Sequence, residues 1–98
     1  MSMKDKLNTE AVQELMSAIL TLDNYDDCLH FFEDLCTVNE LQSIAQRFEV
    51  ASMLYDKQTY LDITEKTGAS TATISRVNRS LNYGAEGYEA VFSKLKDR

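Results

Sequence analysis

The sequence contains no proline and only three glycines, and both shortages restrict the fold. Strand-and-turn folds place these residues at their turns, so their scarcity favours helices joined by short connections. No apolar run approaches the roughly 18 residues of a membrane span, and the first twenty residues lack the apolar core of a signal peptide. We therefore expect a soluble all-α protein that stays in the cytoplasm and does not enter a membrane.

Cysteine and histidine are equally scarce. Cys28 and Cys36 are too few for a disulfide framework, and their spacing around His30, the only histidine, matches no zinc pattern. We expect two buried thiols on a helix face and no metal site. A glycine loop that could cradle a phosphate and paired carboxylates beside a nucleophile are also missing, so we expect no catalytic residues, no enzymatic activity and no cofactor.

Acidic residues outnumber basic ones, but the excess is confined to one part of the chain. The formal net charge is −6, and residues 1–56 hold three Lys/Arg against eleven Asp/Glu. Residues 57–82 instead hold four Lys/Arg against two Asp/Glu. Since a ligand responds to the local field more than to the total charge, this segment is the one suited to nucleic acid.

Apolar residues spaced three and four positions apart predict about six helices in a single domain over residues 1–98. Met1–Lys6 has no such pattern and is expected to be a loose tail. The long middle helix starts at a capping box, Thr37–Glu40, and is apolar on more than one side. A chain this small buries little surface alone, which favours an oligomer. The helices are expected from Asn8 or Thr9, at 25–35, from Thr37 to about 55, and at about 59–66, 71–81 and 86–95.

The segment from Tyr60 to Leu81 is typical of a helix-turn-helix, in which a second helix is held across the first behind a turn glycine. Counted from Tyr60 as position one, four residues stand at places that suit this motif: Ile63, Gly68, Ile74 and Val77. Thr64, at a place where a small residue such as Ala is usual, is a mild departure. Gly68 would allow the left-handed turn, and Ser70 would cap the second helix.

The outward side of this second helix carries the candidate DNA contacts. Hydroxyl and methyl groups of Thr71, Ala72, Thr73 and Ser75 can meet base edges, while Arg76 and Arg79, with Lys66 on the first helix, can hold phosphates. The helix N-terminus adds amides suited to phosphate. An ordinary helical corner with a solvated polar face is the alternative. The full candidate set is Lys66, Gly68, Ser70, Thr71, Ala72, Thr73, Ser75, Arg76 and Arg79.

Residues 59–84 resemble the tryptophan repressor family. The resemblance rests on the ATISR core at Ala72–Arg76 and on Leu81–Gly84, an ending shared with the short tryptophan-repressor-like proteins of the YerC/YecD type. It extends back through the long helix from Thr37 to Asp56. The resemblance implies an intertwined homodimer and a transcriptional regulator, expected to be a repressor, that reads a roughly palindromic double-stranded DNA operator.

The same resemblance implies an effector pocket at Thr37, Arg47, Arg76 and Ser80. Val77 departs from the family, which has a glycine after the gripping arginine to make room for the indole of L-tryptophan. An isopropyl group in a fitted pocket costs about 1–3 kcal/mol, so we expect no effector, with L-tryptophan or another small molecule left open. A helical protein-interaction module, using the acidic N-terminal face or Tyr88 and Phe92 without reading DNA, is the alternative function.

Overall fold

The computed structural model describes residues 3–96, apart from the side chain of Lys4, and this part of the chain contains α-helices and no β-strand. The all-α prediction is confirmed. Within these residues no helix is both long enough and apolar enough to cross a membrane. The seven helices are α1 Met3–Leu7, α2 Glu10–Ile19, α3 Tyr25–Leu35, α4 Val38–Tyr55, α5 Tyr60–Thr67, α6 Thr71–Tyr83 and α7 Gly87–Lys96.

Helix α1 was not predicted from the sequence. The loose tail expected over Met1–Lys6 is wrong from Met3 onwards, while Met1 and Ser2 lie outside the described residues. A helix of five residues is too short to show an apolar period. Lys, Met and Leu are nevertheless good helix formers, and Asp5 places a negative charge in the first turn, where it suits the helix dipole.

The chain divides into two compact units, the first ending at Val38 and the second beginning at Asn39. No residue described in the first unit is buried, although α2 and α3 each have an apolar stripe. Leu20 is 84% exposed and Leu35 51%. The free thiols of Cys28 and Cys36 are half-buried, which corrects the expectation of buried cysteines. The described part of this unit therefore has no core of its own. Its amphipathic helices leave open the apolar faces whose burial would stabilise them.

The second unit contains the hydrophobic core, to which α4, α5, α6 and α7 all contribute. Burying one large aliphatic or aromatic side chain stabilises a fold by about 1.5–3 kcal/mol, so this cluster is what fixes α5 and α6 on α4. The two-sided pattern of α4 is also visible, because Ile44 and Phe48 on the same helix are 43% and 40% exposed. The buried residues are Val50, Ala51, Ile63, Ala69, Ile74, Val77 and Phe92.

Helix α7 is attached through aromatic contacts around Phe92. Its ring centroid lies 5.0 Å from that of Tyr55 and 5.3 Å from that of Phe48, and Tyr88 stacks on it at 5.9 Å. Lys96 Nζ lies 5.1 Å from the centre of the Tyr55 ring. Aromatic pairs at such distances add stabilisation beyond the area that they bury. Tyr88 belongs to α7 itself, so this helix is held against α4 by the contacts of Phe92 with the two α4 rings, Phe48 and Tyr55.

Candidate nucleic-acid interface

The turn between α5 and α6 has the geometry that the helix-turn-helix pattern predicted. Gly68 ends α5 in the left-handed conformation, with φ 73° and ψ 5°, and its N–H donates to the carbonyl of Thr64 at 2.9 Å. Glycine adopts this conformation without the steric cost that a Cβ brings. Since no atom lies within 4 Å of the position that a Cβ would take, glycine is required here by the backbone and not by a neighbouring group.

Both helices of the motif have an N-terminal capping residue. Ser70 Oγ accepts the N–H of Thr73 at 3.1 Å, which confirms the predicted cap of α6. Thr59 and Asp62 form a capping box at the start of α5, with Asp62 N–H donating to Thr59 Oγ1 at 3.1 Å and Thr59 N–H donating to Asp62 Oδ2 at 3.4 Å. We did not predict this box, although the sequence signal, Thr followed three residues later by an acid, was present.

Buried apolar residues set the rotation of α6 about its own axis. Ile63, Ile74 and Val77 are 0%, 0% and 3% exposed, as the motif predicted, and Leu81 packs against the same core. Ala69, in the turn itself, is 2% exposed and was not predicted. Because side chains three and four residues apart share a helix face, burying Ile74 and Val77 turns the opposite face of α6 to solvent.

The exposed face of α6 is the set of side chains predicted to meet DNA. Thr73 is half-buried and shares a hydrogen bond with Ser70, whose Oγ–H donates to Thr73 Oγ1 at 3.1 Å. Ser70 is therefore engaged in capping, while the hydroxyl proton of Thr73 stays available to a ligand. Contact with DNA stays a prediction for every residue of this face. The exposed members are Thr71, Ala72, Ser75, Arg76 and Arg79.

The cationic side chains of this surface differ between the two helices: those described on α6 form no ion pair, whereas Lys66 on α5 does. Helix α6 contains no acidic residue, and among the described residues Arg76 and Arg79 form no ion pair. Lys66 Nζ lies 3.3 Å from Glu49 Oε2 on α4, with the two side chains 65% and 44% exposed. An ion pair this exposed contributes about 0–1 kcal/mol, so a phosphate could compete for Lys66.

A partly open cleft of about 270 Å³ lies beside α6 within the second unit. It brings together four of the five residues predicted for the effector pocket, namely Arg47, Arg76, Val77 and Ser80, while Thr37 belongs to the first unit. Val77 forms part of the wall, and the volume is just below the roughly 300–1,000 Å³ usual for ligand sites. The remaining lining residues are Ile44, Phe48 and Tyr88.

The fold and this surface define a small helical protein with a helix-turn-helix. The chain belongs to the Trp repressor protein family, whose model matches residues 10–96, and the resemblance predicted from the sequence is confirmed.

Three relatives match nearly the whole chain. The uncharacterized protein YerC of Bacillus subtilis (strain 168) is 52% identical over 93 residues, which cover 95% of this chain and 89% of that protein. A TrpR-like protein from Eubacterium eligens, whose crystal structure is known, has 63% sequence identity and a TM-score of 0.91. The match covers 94% of this chain and 95% of that chain. The crystal structure of a candidate Trp repressor from Staphylococcus aureus has 48% sequence identity and a TM-score of 0.92, and the match covers 98% of this chain and 96% of that chain.

Proposed function

We propose that the protein is a sequence-specific DNA-binding transcriptional regulator that places α6 in the major groove. The observation that carries this function is the acid-free, exposed face of α6, held by buried Ile74 and Val77 behind the left-handed Gly68. Thr71, Ala72, Thr73 and Ser75 would contact base edges.

Phosphates would be held by cationic side chains around this face. Arg76 and Arg79 are exposed and would do most of this, with Lys66 contributing from α5. The capped N-terminus of α6 offers backbone amides for one more phosphate. Because few cations are available, affinity should be modest and should fall steeply as salt is added.

We further propose that two chains form a homodimer and that residues 1–98 of each chain act as a single domain. The support is the apolar surface left open by a single chain, in which α2 and α3 have no buried residue. Ile44 and Phe48 on α4 are also partly exposed although Val50 and Ala51 on the same helix are fully buried. A two-fold axis would pair two copies of α6 with half-sites about 34 Å apart.

Regulation by a small molecule is a separate question, which the cleft beside α6 raises. Arg47, Arg76 and Ser80 line the cleft together with apolar side chains, a combination of residue types suited to an amphipathic carboxylate. We propose that DNA binding requires no effector, because Val77 takes up space in a cleft whose volume is already just below that usual for ligand sites. If DNA binding required L-tryptophan, the proposal of effector-independent binding would be contradicted.

The test is selection of bound duplexes from a random-sequence library at two salt concentrations, with and without L-tryptophan. We expect a palindrome to be enriched without tryptophan, and Thr73→Ala to relax one defined base position. Ser93→Ala, an exposed hydroxyl on α7, is the matched control and should leave the motif unchanged. No enriched motif at either salt, together with a weak salt dependence, would instead favour the protein-interaction module. The cytoplasmic location and the repressor role stay predictions.

A further inference from the structure

The end of α5 is tied to α4 by two polar side chains that stand on one face of α4. Gln46 Nε2 donates to the carbonyl of Thr67 at 3.1 Å in a partly buried position, and Glu49, three residues later, pairs with Lys66. Both partners are the last two residues of α5, directly before Gly68. The core holds the apolar side of α5, and the Gln46 bond, the less exposed of these two contacts, holds its polar end.

The Gln46 bond reaches a carbonyl with no partner inside its own helix. The last four carbonyls of an α-helix lack intrahelical donors, and Thr67 is the final residue of α5. Thr67 itself orders the turn, because its Oγ1 donates to the carbonyl of Ile63 at 2.8 Å and accepts the N–H of Ala69 at 3.1 Å. Gln46 is thus hydrogen-bonded to the residue whose side chain makes two of the hydrogen bonds of the turn.

We propose that Gln46 is a positioning residue of the helix-turn-helix: it fixes the direction in which α6 leaves the turn and thereby affects sequence discrimination without touching DNA. This rests on the proposed function. Losing the bond would remove the only described side-chain donor to this partly buried carbonyl and let the end of α5 shift against α4. Base contacts need close geometry, whereas phosphate contacts tolerate such a shift, so specific binding should suffer more than non-specific binding.

The experiment compares Gln46→Ala and Gln46→Glu with Gln42→Ala. Gln42 is an exposed glutamine one turn earlier on α4 and lines the same open groove of about 540 Å³ beside Thr67; its side chain forms no hydrogen bond among the described residues. Glu at position 46 keeps the shape of the side chain but replaces the donor by an acceptor. Affinities are measured for the selected duplex and for a scrambled one over a range of salt, after circular dichroism has shown that each variant is folded.

Both Gln46 variants should lower the affinity ratio of selected to scrambled duplex about two- to tenfold, the range that one hydrogen bond covers. Gln46→Ala, which adds no charge, should also leave the salt slope unchanged. Gln42→Ala should stay within about twofold of the parent protein on the same scale. An equal loss on both duplexes, or an equal effect of Gln42→Ala, would overturn the proposal.

Amide hydrogen exchange supplies a second readout that needs no DNA. The N–H groups of Gly68 and Ala69 are bonded within the turn, so both should exchange faster in Gln46→Ala and at parent rates in Gln42→Ala. If the parent protein selects no duplex, the proposed function fails, and the exchange rates still test the contact between Gln46 and the turn. Unchanged exchange in Gln46→Ala would show that the bond does not hold the turn.

Discussion

Replacing each of the three glycines by alanine should give three different changes in the free energy of unfolding. Gly68 is left-handed with open space around a new Cβ, so only the backbone conformation resists the change. The left-handed region costs an alanine about 1–2 kcal/mol, partly offset by about 0.4–1 kcal/mol from a less flexible unfolded chain. Gly68→Ala should therefore destabilise the protein by about 1 kcal/mol, and Gly68→Asn by less, because Asn tolerates this region better.

The other two glycines should give a larger loss of stability and a gain of stability, respectively. A Cβ at Gly84 would collide with the backbone carbonyl of Ser80, which accepts the N–H of Gly84 at 3.0 Å at the end of α6. Backbone must move there, so Gly84→Ala should cost more than Gly68→Ala. Gly87 has no atom within 4 Å of a new Cβ and begins α7, so alanine should stabilise the protein by about 0.5 kcal/mol through its better helix propensity.

Urea denaturation followed by circular dichroism would measure all three changes. Chain concentration must be held constant, because association makes the stability of a dimer depend on it. The expected order of stability is Gly87→Ala above the parent protein, then Gly68→Ala, then Gly84→Ala. If Gly68→Ala were as stable as Gly87→Ala, the left-handed turn would not be a requirement of the fold, and the structural basis for the helix-turn-helix would be refuted.

Three further changes test the electrostatics. Glu49→Gln should release Lys66 and raise DNA affinity about two- to fivefold, an increase that Lys66→Gln in the same chain should abolish in a binding titration. Arg79→Ala should weaken all duplexes alike and lower the slope of log affinity against log salt by about 0.9 per chain; a base-specific loss would contradict a phosphate role. Partial burial, and after it the charge and hydrogen bond of Glu89, raise the pKa of the Tyr55 hydroxyl above its usual 10.0. The free energy of unfolding should therefore decrease as pH rises from about 10 through the higher pKa of the folded state. Alkaline denaturation should show a smaller decrease for Tyr55→Phe.

The sequence by itself determined the features that depend on neighbouring residues. Helix periodicity located α2 to α7 to within a few residues, and the left-handed Gly68 and the Ser70 cap follow from backbone geometry over a single turn. The inward position of Ile74 and Val77 follows from the same helical period. These features also carried the family resemblance, because a helix-turn-helix is recognised by local spacing.

Only the tertiary structure decided which distant side chains meet. Gln46 reaches Thr67 across 21 residues of sequence, and Glu49 reaches Lys66 across 17. Neither pairing follows from a helical period, because it depends on how α5 crosses α4. The burial of Ala69 arises in the same way, since a residue in a turn is enclosed only when other elements pack over it. Local chemistry fixes the helices and their ends, whereas contacts between helices are set by the apolar core that brings them together.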